Sequence, residues 1–185
     1  MINFIKIAIQ DYRTVAAISP TSRYAAGRIV QKIKEGHKFI VEYGAGDGAI
    51  TKEILRKIPA DGRLIAVELN KYFVAELEKI NDKRLIIINS DVTDVSRNLA
   101  KLGLPRIDAV ISGIPFSYIN SEIRKEIIGN TYNALTDSGV FVVYQHSPLV
   151  LSYLEVFFKK YVSLYFEPRN FLPYFIMAAE KQPDV

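Results

Sequence analysis

Residues 41–48 (VEYGAGDG) place three glycines and an acid directly after a short apolar run. The glycines let the backbone turn sharply and approach a ligand, because no Cβ atom stands in the way. Two more acids, Glu68 and Asp91, follow later apolar runs. In α/β sheets, a glycine turn after one strand and a carboxylate after the next hold a nucleoside, with the acid on the ribose hydroxyls. The pattern therefore predicts a nucleoside site. Neither Asp47 nor Ala49 is glycine, and this departure from the dinucleotide fingerprint disfavours NAD or FAD.

The elements that would position these residues alternate along the chain. Five near-continuous apolar runs are separated by helical patterns, as is typical of parallel strands covered on both faces. Ser19 and Pro20 form a helix-start signal. No repeat or low-complexity linker divides the chain, so we expect one domain over 1–185. The predicted strands are 39–43, 64–69, 85–89, 109–112 and 140–145, and the predicted helices are 20–34, 48–58, 70–80, 93–101, 120–135 and 148–160.

Composition narrows the class of protein. With 185 residues and 49% hydrophobic composition, one sizeable core is expected. The chain has no cysteine and two histidines, so we predict neither a disulfide framework nor a metal site. We find no apolar segment of transmembrane length and no signal peptide. These observations favour a cytoplasmic protein.

Charge is concentrated near the N-terminus. Residues 1–38 hold seven basic and two acidic residues, a balance of +5, whereas the whole chain carries +4. An anionic partner, either phosphate backbone or lipid headgroups, would explain this asymmetry, and so would a solvated helix face. We treat 1–35 as a helical, basic segment that contacts a membrane or packs over the domain. The apolar face of a helix at its start would comprise Ile2, Ile5, Ile9, Tyr12 and Ala16.

The motifs resemble those of a known enzyme family. Residues 41–48, 68–70 (ELN) and 90–92 (SDV) resemble the first three motifs of class I S-adenosylmethionine-dependent methyltransferases. The resemblance implies a Rossmann-like α/β fold, with a seven-stranded, mostly parallel sheet, helices on both faces and an N-terminal helical extension. It also implies a terminal antiparallel hairpin over 162–167 and 174–180. The implied cofactor is S-adenosylmethionine, with S-adenosylhomocysteine as the product.

The same resemblance assigns cofactor contacts residue by residue. The glycine loop would pass beneath the methionine part, with Glu42 on its amino group through water. Glu68 would hold the ribose hydroxyls and Asp91 the adenine amine. As alternatives, Glu42 could cap a loop and Asp91 could be the N-cap of the next helix. The implied cofactor-binding residues are Glu42, Gly44, Ala45, Gly46, Gly48, Glu68, Leu69, Asp91, Val92 and Ser112.

The acceptor site is expected after the fourth strand, at residues 112–116 (SGIPF). Amino-methylating relatives carry Asn or Asp here, then an apolar residue or Pro, then Pro and an aromatic. This chain has Gly113 where the Asn would be, which removes the amide that would read an adenine N6 and disfavours nucleobase methylation. Pro115 and Phe116 match, although a simple turn with a buried ring would also explain them.

SGIPF is, however, similar to the corresponding motif of the soluble bacterial phospholipid N-methyltransferases, which are related to ribosomal RNA adenine dimethyltransferases. Residues 16–23, 145–148 and 169–173 match that family more loosely. The resemblance implies methylation of the amino headgroup of a phospholipid such as phosphatidylethanolamine at the membrane surface. The basic N-terminal segment suits an anionic bilayer.

That substrate has chemical needs. Its ammonium group must lose a proton, which His146 could accept, and its phosphate needs an arginine partner. Aromatic rings could surround the methylated nitrogen by cation–π contact. Alternatively, His146 is a structural hydrogen-bonding group and the tyrosines face the core. The candidates are Gly113, Pro115, Phe116 and His146 for catalysis, and Arg23, Tyr24, Tyr118 and Arg169 for the substrate, with Phe116 also among the cation–π rings.

Two other functions stay open. An RNA adenine N6-methyltransferase would carry a basic recognition domain, yet residues 145–185 hold four basic and four acidic residues, so nucleic acid is disfavoured. A non-catalytic cofactor-binding module would bind the cofactor and have a closed acceptor pocket.

Overall fold

The computed structural model describes residues 21–159 and 161–183, and within them seven strands form one sheet. The order across the sheet is β3-β2-β1-β4-β5-β7-β6. Pairing among β1 to β5 is parallel, whereas β7 is antiparallel to both of its neighbours. The strands are β1 (Phe39–Tyr43), β2 (Arg63–Val67), β3 (Leu85–Ile88), β4 (Ile107–Ser112), β5 (Leu135–Gln145), β6 (Val162–Glu167) and β7 (Tyr174–Glu180).

Six α-helices connect or flank these strands in the described residues. Side chains cap several of them at the N-terminus, as Ser22 does for α1 and Asn120 for α5, each accepting a backbone N–H of the first turn. The helices are α1 (Arg23–Val30), α2 (Ala49–Lys57), α3 (Lys71–Leu77), α4 (Val92–Ser96), α5 (Ser121–Ala134) and α6 (Leu151–Phe158), with single 3₁₀ turns at Leu99–Lys101 and Phe116–Tyr118.

Alternate strand residues build two cores, one on each face of the sheet. Val41 and Tyr43 of β1 pack in the core that includes α5 and α6. Ile40, their neighbour on the same strand, packs in the core that includes α1 and α2. This alternation explains why the parallel strands read as unbroken apolar runs. The predicted Rossmann-like sheet, its helices on both faces and its antiparallel C-terminal hairpin are confirmed.

Several predicted boundaries were wrong. β5 begins at Leu135 rather than 140, because residues around Ser138 and Gly139 that read as a turn continue the strand with an irregular register against β4. α4 ends at Ser96, well before 101, and α6 begins at Leu151 rather than 148. The predicted start at Ser19-Pro20 and the amphipathic helix at the N-terminus lie outside the described residues.

Candidate active site

The loop between β1 and α2 brings three glycines into left-handed backbone conformations. Gly44, Gly46 and Gly48 have φ of 73°, 54° and 79°. A Cβ at Gly44 would stand 3.0 Å from Ile114 Cγ2, and one at Gly48 would stand 3.0 Å from Ile80 Cδ1. The left-handed backbone and these close approaches together favour glycine at both ends of the loop. At Gly46, by contrast, a Cβ would meet no described atom within 4 Å, so the middle of the loop borders open space.

Glu68 ties this loop to the end of β2. Its Oε2 accepts from the Gly46 amide at 2.9 Å, and its Oε1 accepts from the Asn70 amide at 2.8 Å. Asn89 holds the backbone at this point by donating to the carbonyls of Glu68 and Leu69, at 2.8 and 3.0 Å. The carboxylate is thus fixed at the mouth of the loop, at the end of β2 where the ribose hydroxyls are expected.

Glu42 is a fully buried acid beneath the loop. Its Oε2 accepts from the Thr51 hydroxyl at 2.6 Å, but no described residue bonds to its Oε1. Burial raises the pKa of Glu42 to about 8, and the nearby carboxylates of Glu68 and Asp47 raise that pKa further, while the Thr51 hydrogen bond opposes the change. A buried carboxyl with an unused oxygen suits a cationic ligand group, such as the ammonium of a methionine moiety.

Asp91 serves as the N-cap of α4, the alternative foreseen for it. Its Oδ1 accepts from the Thr93 amide at 2.8 Å, which leaves Oδ2 as a further acceptor. Leu69 and Val92, the residues expected on the adenine ring, are both half-buried. Ala45 is buried against Ala66 and contributes its backbone rather than its side chain to the loop surface.

Two further buried oxygens lie at the ends of β4 and β5. Ser112 Oγ and Gln145 Oε1 have no hydrogen-bond partner in the part of the chain that the structure describes. Gln145 is held through its amide nitrogen, which donates to the Ser147 carbonyl at 2.5 Å. Since buried polar atoms are nearly always satisfied, these two also indicate a ligand at the carboxyl edge of the sheet.

Gly113, next along from Ser112, lies against the ring of Tyr144. A Cβ at position 113 would overlap the Tyr144 hydroxyl oxygen and stand 2.7 Å from the ring carbon Cζ. An asparagine side chain at position 113 would therefore project into the space that the phenol of the neighbouring strand occupies.

The expected contact of Phe116 with a substrate nitrogen is not what the structure contains. Its ring is fully buried and meets Phe141 edge-on, with ring centroids 6.4 Å apart. The alternative of a turn with a buried ring holds, since the Pro115 carbonyl accepts from the Tyr118 amide at 3.0 Å. Tyr118, in contrast, is 65% exposed.

His146 follows β5 and faces the turn before β7. Its Nδ1 lies 2.9 Å from the Pro173 carbonyl oxygen, and its ring stacks on Tyr174 at 4.7 Å. Because a carbonyl can only accept, Nδ1 donates this hydrogen bond. The neutral ring therefore carries its lone pair on Nε2, which leaves that atom able to accept a proton.

The predicted substrate residues Arg23, Tyr24 and Arg169 come together. The guanidinium carbons of Arg23 and Arg169 each lie 4.9 Å from the centre of the Tyr24 ring. Arg169 and Arg28 both bond to Glu167, whose pKa is lowered to about 2, chiefly by the Arg169 hydrogen bonds and also by the charge of Arg28. We call these five residues the arginine cluster.

Residues 21–159 and 161–183 contain neither a metal-ligand cluster nor a helix that could span a membrane. No group of three or more histidine or acidic side chains there is arranged to hold a metal ion. No helix in that part of the chain has the length and apolar character needed to cross a bilayer.

Comparison with known proteins identifies the family. No protein-family model matches the chain. An ornithine lipid N-methyltransferase from Singulisphaera acidiphila is 30% identical over 162 residues, which cover 86% of this chain and 84% of that enzyme. The chain belongs to the family of that enzyme, among the class I S-adenosylmethionine-dependent methyltransferases.

Other matches agree with this methyltransferase family. A ribosomal RNA small subunit methyltransferase A from Mycoplasma capricolum is 34% identical over 89 residues, 46% of this chain and 32% of that protein. A didemethyltoxoflavin N-methyltransferase from Burkholderia thailandensis, solved with S-adenosylhomocysteine, has a TM-score of 0.66 at 16% identity and covers 98% of this chain and 86% of that one.

This methyltransferase therefore takes its methyl group from S-adenosylmethionine, and its own residues fit that cofactor. The open side of Gly46 leaves room for a ligand, and Glu42 has an oxygen to spare for a cationic group. Sequence reasoning missed Tyr144, Arg28 and Thr51, because their roles depend on the residues they contact in the fold and no local motif marks them. An acid in an otherwise apolar strand, Glu167, was a usable signal for the arginine cluster.

Proposed function

We propose that this methyltransferase N-methylates the amino headgroup of a membrane lipid. The candidates are phosphatidylethanolamine and an ornithine lipid, the substrate named for the relative from Singulisphaera acidiphila. Both carry a primary amine close to an anion, a phosphate in one and a carboxylate in the other. The observation that carries the proposal is the arginine cluster, which offers an anion site beside the acceptor end of the sheet.

The arginine cluster carries a net positive charge. Two of its guanidinium groups, those of Arg28 and Arg169, bond to the buried Glu167 carboxylate, and the third, that of Arg23, lies over the Tyr24 ring, which gives the cluster a balance of +2. Glu167 bonds to Arg28 Nε at 2.9 Å and accepts from Nε and Nη2 of Arg169, and each arginine carries further N–H donors beyond these bonds. Guanidinium groups bind both phosphate and carboxylate in bidentate fashion. The cluster therefore suits the headgroup anion of either lipid.

The arginine cluster lies at the edge of the sheet where the chemistry is expected. β6 runs in the same direction as β5, because both are antiparallel to β7. Arg169 follows β6 and His146 follows β5, at the same edge. The Ser22 amide donates to Asn170 at 2.7 Å and fastens the start of α1 to this turn. A headgroup bound there would have its amine near the end of β4.

Proton transfer and methyl transfer can then be assigned. S-adenosylmethionine supplies a methyl group on a positive sulfur; its C–S bond breaks as the N–C bond forms, which leaves S-adenosylhomocysteine. The attacking amine must first give up one ammonium proton, and we assign Nε2 of His146 as the acceptor. Tyr24 and Tyr118, both exposed, are assigned to cation–π contact with the methylated nitrogen.

The cofactor contacts that we propose are supported by the geometry of the glycine loop and the buried acids. Glu42 would hold the methionine ammonium, since its Oε1 is unused and buried. Glu68 would accept from the ribose hydroxyls at the mouth of the loop, and Oδ2 of Asp91 would accept from the adenine amine. Leu69 and Val92 would pack on the adenine ring, and Ser112 would line the cofactor beside β4.

We also infer peripheral contact with the cytoplasmic face of a membrane. Phe171 is 77% exposed in the turn that contains Arg169, and Leu149 is exposed after His146. Exposed aromatic and aliphatic side chains beside arginines suit a bilayer interface. The basic segment over 1–35 would add to this contact.

A ribosomal RNA adenine methyltransferase is the competing function, supported by the match to the Mycoplasma capricolum protein. Against it stands the absence of an amide side chain at position 113. A non-catalytic cofactor-binding role is the other alternative.

The test uses purified protein with S-adenosylmethionine labelled in the methyl group. Four parallel reactions contain anionic vesicles with phosphatidylethanolamine, anionic vesicles with ornithine lipid, ribosomal RNA, and no acceptor. Label in one of the two lipid fractions is expected and tells which headgroup is used. The label should fall when Arg23 and Arg169 are both changed to Gln, whereas the exposed Arg56→Gln serves as control. Label in RNA alone would overturn the proposal, and cofactor binding without transfer would favour the non-catalytic role.

A further inference from the structure

The Tyr144 hydroxyl occupies the space into which a side chain at position 113 would project. Gly113 is held at this point by its amide, which donates to the Tyr43 carbonyl at 2.9 Å. A side chain at position 113 would require the Tyr144 ring to shift. Ser112 pairs with Val143 across the two strands, so the next residues, Gly113 and Tyr144, also lie side by side.

Neighbouring rings fix the position of this hydroxyl. Tyr144 is almost fully buried and meets Tyr174 edge-on, with centroids 5.5 Å apart and an interplanar angle of 82°. Tyr174 in turn stacks on His146 with an interplanar angle of 15°. Three rings in contact, Tyr144, Tyr174 and His146, therefore link the Tyr144 hydroxyl to the imidazole assigned as proton acceptor.

We propose that the Tyr144 hydroxyl binds the acceptor nitrogen and makes the enzyme select an alkyl amine over a nucleobase amine. This inference rests on the proposed function, an amine-bearing lipid. A neutral alkyl amine has two N–H donors and a lone pair at tetrahedral angles. A phenol oxygen can accept one N–H and leave the lone pair directed at the methyl carbon. A planar nucleobase amine, whose lone pair is delocalised, needs the amide-type partner that Gly113 lacks.

Tyr144→Phe tests this proposal, because it removes the hydroxyl and keeps the ring packing. The matched control is Tyr43→Phe, which removes another buried hydroxyl, bonded to Thr131 Oγ1 at 3.2 Å on the opposite face of the sheet. We would measure the cofactor Kd, the thermal midpoint, and kcat and KM with phosphatidylethanolamine and ornithine lipid vesicles. RNA is included as an acceptor for every protein.

We expect Tyr144→Phe to bind the cofactor within twofold of wild type and to lose at least tenfold in kcat/KM for the lipid amine. Tyr43→Phe should stay within threefold, whatever its effect on the thermal midpoint. Equal activities for the two variants would overturn the role of Tyr144 and leave the proposed function intact. Wild type that labels neither lipid would overturn the proposed function, and the role of Tyr144 with it.

Discussion

The Arg169 guanidinium donates two hydrogen bonds to the buried carboxylate of Glu167, from Nε to Oε1 and from Nη2 to Oε2, each at 2.7 Å. The Arg169 amide also donates to Oε1 at 3.0 Å. A single acid thus shapes the turn after β6 and aims two arginines, since Arg28 shares the same carboxylate. We infer that Glu167 acts on the substrate only through those arginines.

Glu167→Gln should lower the free energy of unfolding at pH 7 by about 2 kcal/mol, because charge-assisted hydrogen bonds to a buried group are lost. The folded-state pKa of Glu167 is about 2, below its usual 4.5. Its stabilisation is therefore fully present above about pH 4.5 and is lost as the pH falls towards 2. Denaturant unfolding at several pH values measures this difference between variant and wild type.

The matched control for that measurement is Glu53→Gln, which breaks the exposed pair with Arg56 one helical turn away. An exposed pair of this kind contributes about 0.5 kcal/mol or less. If both variants unfolded with the same free energy, the buried carboxylate would not hold the turn.

Glu42→Gln should change two properties that depend on the buried carboxyl: the pH dependence of stability, and the proton released when the cofactor binds. The wild-type carboxyl has a folded-state pKa of about 8, above its usual 4.5, so this group makes stability fall as pH rises between those values. The variant should lack that fall. Binding of a cationic cofactor group favours the ionised acid, so wild type should release a proton from Glu42 on binding at pH 7.

Calorimetry of cofactor binding in two buffers of different ionisation enthalpy measures the number of protons released per cofactor bound. We expect the variant to bind at least tenfold more weakly and to release less of a proton than wild type does. Asp47→Asn, a change at the exposed acid of the same loop, is the control. Equal proton release by wild type and Glu42→Gln would show that another group titrates.

Gly46→Ala and Gly36→Ala form a pair with the same backbone strain. Both glycines have positive φ, 54° and 85°, and neither Cβ would touch a described atom within 4 Å. Each variant should lose about 1 kcal/mol of stability from the left-handed conformation. Only Gly46→Ala should weaken cofactor binding, by tenfold or more, because only its Cβ would point into the cofactor site. Similar affinities for the two variants would place the cofactor elsewhere.

His146→Asn keeps a donor for the Pro173 carbonyl and removes the Nε2 acceptor. If Nε2 takes the amine proton, kcat for methyl transfer should fall by about 10²-fold while the cofactor Kd stays the same. The loss should be smaller at alkaline pH, where more of the amine is already neutral. His37→Asn, at the other histidine, should transfer methyl groups like wild type. A pH profile unchanged in His146→Asn would assign the histidine a structural role.

Local patterns foretold the framework of this molecule because parallel strands are covered on both faces and must be apolar throughout. β1 begins and ends as its apolar run predicted, whereas the bounds of the β6 and β7 hairpin were implied by the family resemblance and not by periodicity. The start of β5 could not be foreseen, since Ser138 adopts φ of 61° within the strand and only its pairing with β4 reveals the extension.

The same contrast holds at the site. Glu42, Glu68 and the glycine loop lie together because short motifs at strand ends specify them. Tyr144 and Gly113 are 31 positions apart in sequence. The motif around Gly113 therefore could not predict that the Tyr144 side chain occupies the space beside the Gly113 Cα.

The order of strands in the sheet also governs how the protein can be made. β7 is the last of the seven strands to be synthesised, yet it lies between β5 and β6. On the ribosome, β6 must wait without a partner, and β5 presents an unpaired edge, until residues 174–180 emerge. That edge is the point at which the nascent chain is most exposed to pairing with other chains and most dependent on chaperones.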